Sequence, residues 1–207
     1  MTERGTKLAA LLKERDLYLR GLANGEIQGP PVGYPSIDKP WLKYFSEKAI
    51  EAQLPGCTAY EYMYQNNKDY PEGIALDYFG RKVTYAELFE SIERVAVAYQ
   101  EIGIRPNDVV TIVSVSCVTS ILSFYALNRI GAEADFISVL STESEMEQYF
   151  KEAEAQYVVS LDLFAEKVVK VAEKCGIKQV VVYSLKEWMP MPISIGFSLK
   201  MRKMDKA

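Results

Sequence analysis

Residues 109–115 read Val-Val-Thr-Ile-Val-Ser-Val, β-branched at every position except the serine. Such a run suits a strand buried on both faces, as in the middle of a parallel sheet. A half-exposed antiparallel strand would alternate apolar with polar. The segments that follow keep one order. A helical pattern over 119–130 stops at Gly131, and a strand pattern covers 132–139. Thr142, with Glu145 three residues on, opens another helix. A strand at 157–160, a helix capped by Asp162 and stopped at Gly176, and a strand at 179–183 complete the series. Parallel strands need long crossovers, so the expected class is α/β, a parallel sheet with helices on both faces.

A β-hairpin and N-terminal helices precede that sheet. Residues 74–79 and 81–83 read as strands about Gly80. Thr84 caps a helix whose Leu88, Ile92, Val95, Tyr99 and Ile102 share one face, and Gly103 ends it. Thr58 and Glu61 form a capping-box pattern for a helix over 59–68. Residues 41–53 read as a single helix. Residues 29–40 hold four of the nine prolines and read as an extended connector. Leu8, Leu11, Leu12, Leu19 and Leu22 mark an amphipathic helix ahead of it. The chain therefore divides into an N-terminal helix and connector (1–40), an α/β subdomain (41–184) and a basic tail (185–207).

The tail has net charge +3, which leaves –7 on the rest of a chain of net charge –4. With Pro190 and Pro192 and no clear apolar face, it reads as a surface connector rather than a membrane anchor.

Composition removes several chemistries. No histidine occurs in 207 residues, which excludes Ser-His and Cys-His nucleophile pairs, histidine acid–base work and most zinc sites. Cys57, Cys117 and Cys175 are widely spaced and read as core thiols in a reducing compartment. The mild negative charge offers no footprint for nucleic acid. The N-terminus is a poor signal peptide, and no apolar run nears the roughly 18 residues of a membrane span. A cytoplasmic protein with no transmembrane segment is expected.

A parallel sheet collects ligands at the carboxyl ends of its strands. No GxGxxG or GxxxxGK[ST] is present, which argues against a dinucleotide-binding oxidoreductase and a P-loop NTPase. Ser116 and Thr119 stand where one strand turns into a helix, and capping is their commoner task. Ser138, Ser141 and Thr142 stand at the next such turn. They are the candidates for phosphate or coenzyme A vicinity, although Glu143, Glu145 and Glu147 beside them repel an anion. Glu61, Asp77, Glu87, Glu133 and Asp135 read as caps or solvated faces, with no paired base or metal partner. Tyr60, Tyr62 and Tyr64 read as packing residues.

The order of segments carries a resemblance. The hairpin followed by Val-Thr-Tyr-Ala-Glu-Leu (83–88), the strand Asn-Asp-Val-Val-Thr-Ile-Val-Ser-Val (107–115) and the helix closing on Ala-Leu-Asn-Arg-Ile-Gly-Ala (126–132) resemble the N-terminal part of adenylate-forming ligases. The acyl-CoA synthetases are the nearest branch, and residues 33–50 resemble the lead-in of fatty-acid–CoA ligases. The resemblance implies a parent enzyme that uses ATP and magnesium to make an acyl-adenylate. That enzyme then passes the acyl group to coenzyme A. The family's Ser/Thr/Gly-rich phosphate loop with lysine, its aromatic-Gly-x-Thr-Glu segment, its Thr-Gly-Asp motif and its C-terminal lysine domain have no counterpart in these residues. No catalytic residue and no metal ligand is therefore assigned, and no cofactor is expected to bind this stretch alone. Ser116 and Cys117 stand where the family often has proline and asparagine. No glycine occurs at 137–140, where acetate-type members carry one near coenzyme A.

Two expectations follow. In the first, the chain is an N-terminal portion of such a ligase, inactive alone and partnered by the rest of its own polypeptide. Exposed apolar surface would then promote self-association. In the alternative, it is a non-catalytic α/β module that binds a nucleotide, coenzyme A or a protein.

Overall fold

The structure is a computed structural model and describes residues 34–204. The leucine-marked helix expected near residues 8–22 lies outside them. Two compact units are present, Met1–Pro55 and Gly56–Ala207.

In the described part of the first unit, α1 (Pro35–Asp38) precedes a 3-10 turn (Pro40–Tyr44) and α2 (Glu47–Glu51). This corrects two expectations. Residues 35–38 are helical rather than extended, because Pro35 sits at the first helical position, where its missing amide costs nothing. Residues 41–53 are not one helix. Phe45 is extended (φ –101°, ψ 143°), and Ser46 starts α2 by accepting the Ala49 amide.

The second unit begins with α3 (Ala59–Asn67), held by the expected Thr58–Glu61 capping box. The hairpin β1 (Ile74–Tyr78) and β2 (Arg81–Thr84) follows. Its two-residue turn has positive φ at Phe79 (53°) and Gly80 (85°). That twist matches the strands on either side, and glycine takes it without strain. Thr84 caps α4 (Tyr85–Glu101) as expected.

The parallel sheet comprises β3 (Val109–Val113), β4 (Glu133–Ile137), β5 (Tyr157–Leu161) and β6 (Gln179–Tyr183) in the order β4-β3-β5-β6. β5 is buried along its whole length and β3 along nearly all of it, as their apolar runs require. The edge strands β4 and β6 are part-buried, each with its first and fourth residues exposed. The helices α5 (Val118–Ile130), α6 (Glu143–Glu152) and α7 (Ala165–Cys175) connect the strands. Asp162 starts a 3-10 turn (Asp162–Phe164) rather than capping α7 directly, because its carboxylate accepts the neighbouring Leu163 amide.

Two apolar cores flank the sheet. One holds Leu88 and Ile92 of α4, Leu122 and Leu127 of α5, Val83 of the hairpin, and Trp188. The other holds Met146 and Phe150 of α6 with Val168 and Val171 of α7. The chain thus leaves β3 along one face to reach β4, then returns past β3 along the other face to reach β5. The segment expected as a connector carries α8 (Met191–Met204). Its prolines fall before and within the first turn, where helix amides are unbonded in any case.

Candidate functional site

The chain reverses direction between β3 and β5, and their carboxyl ends are the usual ligand position in an open α/β sheet. Three groups meet there. Ser114 follows β3, Cys117 starts α5, and Tyr183 ends β6 two strands away. The Tyr183 hydroxyl and Ser114 Oγ share a short hydrogen bond, and Cys117 Sγ lies 3.7 Å from the same phenol oxygen. Burial pushes the Tyr183 phenol well above its ordinary 10.0, against a smaller opposing effect of the Ser114 hydrogen bond. Tyr78 of the hairpin is raised too, first by burial and then by Cys117 nearby.

The first turn differs from its sequence reading. Ser116 is exposed, and neither it nor Thr119 caps α5. The Cys117 amide instead donates to Ser120 Oγ at 3.0 Å, and Ser120 in turn donates to the Cys117 carbonyl at 2.8 Å. Ser116 lines an apolar groove of about 640 Å³ with Leu76, Tyr85, Phe124, Tyr125 and Phe136.

The second turn, after β4, carries Ser138, Ser141 and Thr142. Ser138 Oγ accepts the Leu140 amide at 3.1 Å. Thr142 Oγ1 accepts the Glu145 amide at 3.3 Å, while Glu145 accepts the Thr142 amide at 2.7 Å. The Thr142 amide, and then the Thr142 hydroxyl donating at 2.9 Å, hold the Glu145 carboxyl below the usual carboxylate range. Lys167 of α7 donates to the Val139 carbonyl (3.0 Å) and the Ser141 carbonyl (2.8 Å). Glu143 is paired with Lys170 at 2.8 Å, which depresses its pKa, and Glu147 with Lys151 at 2.6 Å. Two of the three glutamates expected to repel an anion are thus partly neutralised.

The remaining carboxylates act locally. Asp77 accepts the Gly80 amide in the hairpin turn, Glu87 pairs with Arg81, and Asp135 accepts from Thr111 across β3 and β4. Tyr60 is buried and donates to Glu93, and burial with that contact pushes its pKa up to about 12.

Among the described residues no three acidic, cysteine or histidine side chains converge as metal ligands. The hydroxyls of Ser138 and Thr142 are already committed to amides.

Residues 63–197 match the family model described as AMP-binding enzyme, and the chain belongs to that family. The long-chain-fatty-acid–CoA ligase of Bacillus subtilis is 25% identical over 166 residues, covering 80% of this chain and 30% of that protein. The 2-succinylbenzoate–CoA ligase of Listeria monocytogenes is 29% identical over 98 residues, covering 47% and 21%. The crystal structure of a benzoate CoA ligase from Burkholderia xenovorans LB400 shares the fold, with a TM-score of 0.56 at 22% identity over 61% of this chain and 26% of that one. The chain thus spans less than a third of the length of these relatives.

Sequence reasoning located both turns but not Tyr183 or Lys167. Each reaches its turn from a distant element, and no local spacing records such a contact.

Proposed function

We propose that this chain forms the front part of an ATP-dependent acid–thiol ligase that acts through an acyl-adenylate, and that the acid is a fatty acid. The family match over 63–197 carries the reading. Similarity to the long-chain ligase of B. subtilis extends over 166 residues, well beyond the 98 matched in the succinylbenzoate enzyme, and so favours a fatty acid.

In this reading the chain supplies architecture. The carboxyl ends of β3 and β5 and the Leu76–Phe124–Phe136 groove form one wall of a site whose nucleotide, magnesium and coenzyme A contacts come from residues outside this chain. No step of the reaction is assigned to a residue within it. Ser138 and Thr142 shape the rim through their hydroxyl–amide bonds, and Ser141 through its backbone bonds to Ser138 and Lys167. Leu140 (84% exposed) and Phe136 (50% exposed) belong to the surface that the remainder of the polypeptide covers. Alone, the chain self-associates through that surface, which light scattering would register as growth in mass with concentration.

The test is an acid-dependent pyrophosphate-release assay on the polypeptide encoded by the whole reading frame, with ATP, magnesium, coenzyme A and a panel of acids. Turnover is expected with long-chain fatty acids in preference to aromatic acids. Preference for benzoate-type acids would overturn the substrate, and no release with any acid would overturn the ligase reading.

A further inference from the structure

Residues 184–190 leave β6 at its carboxyl end and lead to α8. Their backbone bonds are short turn bonds. The Glu187 amide donates to the Ser184 carbonyl at 3.3 Å, and the Met189 amide to the Lys186 carbonyl at 3.0 Å. Among the described residues, no hydrogen bond or ion pair ties 184–189 to the sheet, the hairpin or the helices around it. Two side chains fasten the segment instead, Trp188 and Met189, which are 9% and 8% exposed. Trp188 lies in the same apolar cluster as Tyr78 and Tyr183, with the Arg81 guanidinium 4.4 Å from its ring centroid. Glu87 holds Arg81 in that place at 2.8 Å.

The two ends of the segment define its course. At its root, Tyr183 reaches over β5 to Ser114 and lies 3.7 Å from Cys117 Sγ. At Trp188 it meets Arg81, whose partner across the hairpin, Tyr78, is near enough to Cys117 to feel its charge. The segment therefore runs from the outer edge of the sheet to the hairpin, past the carboxyl ends of β5 and β3. A segment held by two buried side chains, with no backbone bond to its surroundings, can open as a unit while the sheet stays folded. Its outer fastening is the weak point. Arg81 and Glu87 are each 37% exposed, where an ion pair and a cation over a ring contribute modestly. We propose that 184–190 form a strap across the carboxyl ends of β3 and β5, closed by Trp188 against Arg81, and that a ligand reaches that position only when the strap lifts. The proposal concerns access and does not depend on ligase activity.

The test is the reactivity of Cys117, which is 4% exposed at the covered position. Cys57→Ser combined with Cys175→Ser leaves it as the single thiol. Its reaction with an aromatic disulfide reagent is expected to be nearly independent of urea below the unfolding transition, because strap opening exposes little surface. Arg81→Gln should speed the reaction about tenfold. It should also raise acrylamide quenching of Trp188, read with Trp41→Phe in place. Glu87→Gln, which leaves Arg81 without its partner, should speed the reaction by a smaller factor. Thr142→Ala, which lowers global stability at a distant turn, should leave the rate unchanged. Labelling that follows global unfolding at every urea concentration would overturn the proposal, as would Thr142→Ala speeding it as much as Arg81→Gln. So would an Arg81→Gln variant that loosens Trp188 and leaves Cys117 labelling unchanged, which would make Trp188 a packing anchor only. No change in either readout would overturn it as well.

Discussion

The turns after β3 and β4 occupy equivalent places at the carboxyl edge of one sheet, yet they differ in how far their serine and threonine hydroxyls reach for a partner. After β4, the Ser138 and Thr142 hydroxyls find amide partners within three residues. The turn is complete in itself, and Lys167 only secures it from outside. After β3, Ser114 meets Tyr183, 69 residues further along the chain. The hydroxyls of the second turn are satisfied locally, while the first adds the Ser114–Tyr183 contact across the sheet to its local Cys117–Ser120 bonds. A local device is legible in sequence and tolerates change nearby, whereas a tertiary one is silent in sequence and fails with either partner.

The largest effect should come from Tyr183→Ala, which removes an aromatic ring from the edge of the core and leaves Ser114 without its partner. About 3 kcal/mol of stability should be lost in urea denaturation. A loss below about 1 kcal/mol would mean that the first turn stands without Tyr183.

Next in size are two single-group removals. Tyr183→Phe should cost about 1 kcal/mol, and Thr142→Ala about 1 kcal/mol through the lost cap. Among the described residues the two turns share no hydrogen-bond partner, so these costs should add in the double variant, and marked non-additivity would break the comparison. They also part with pH. The folded phenol titrates above its ordinary 10.0, so its contribution is present below that value and is lost as pH rises through the folded one. The deficit of Tyr183→Phe should therefore shrink above pH 10.0, while that of Thr142→Ala should not. The same sign applies to Tyr99, pushed up to about 12 by burial, with the Ser123 hydrogen bond opposing the shift.

Smaller still is Lys167→Met. Amide exchange at Ser141, bonded to the Ser138 carbonyl at 3.1 Å, should quicken with little change in global stability. Unchanged exchange would show that the capped turn needs no anchor from α7. The least effect belongs to Glu145→Gln. The folded carboxyl titrates below its ordinary 4.5, so its contribution is present above that value and is lost as pH falls through the folded one. The difference between Glu145→Gln and the original chain should close under acid conditions.

The parts legible in sequence share a local cause. The capping boxes at Thr58 and Thr142 and the Thr84 cap are readable because each cap bonds three residues on. β3 is readable because a strand buried on both faces has no polar alternation to keep. What was not legible turned on competition or distance. Residues 41–53 look periodic enough for one helix, but extended Phe45 and the Ser46 cap divide them. Pro190 and Pro192 look like helix breakers until their place in the first turn of α8 is known. Tyr183 looks like one more strand aromatic until the sheet order brings it over β5 to Ser114.

The proposal that this chain supplies architecture, and no catalytic step, to an acyl-activating ligase is most directly tested by pyrophosphate release from the isolated chain. With ATP, magnesium, coenzyme A and a long-chain fatty acid, release should not exceed that of the enzyme-free control. Sustained turnover dependent on both the chain and the acid would contradict it.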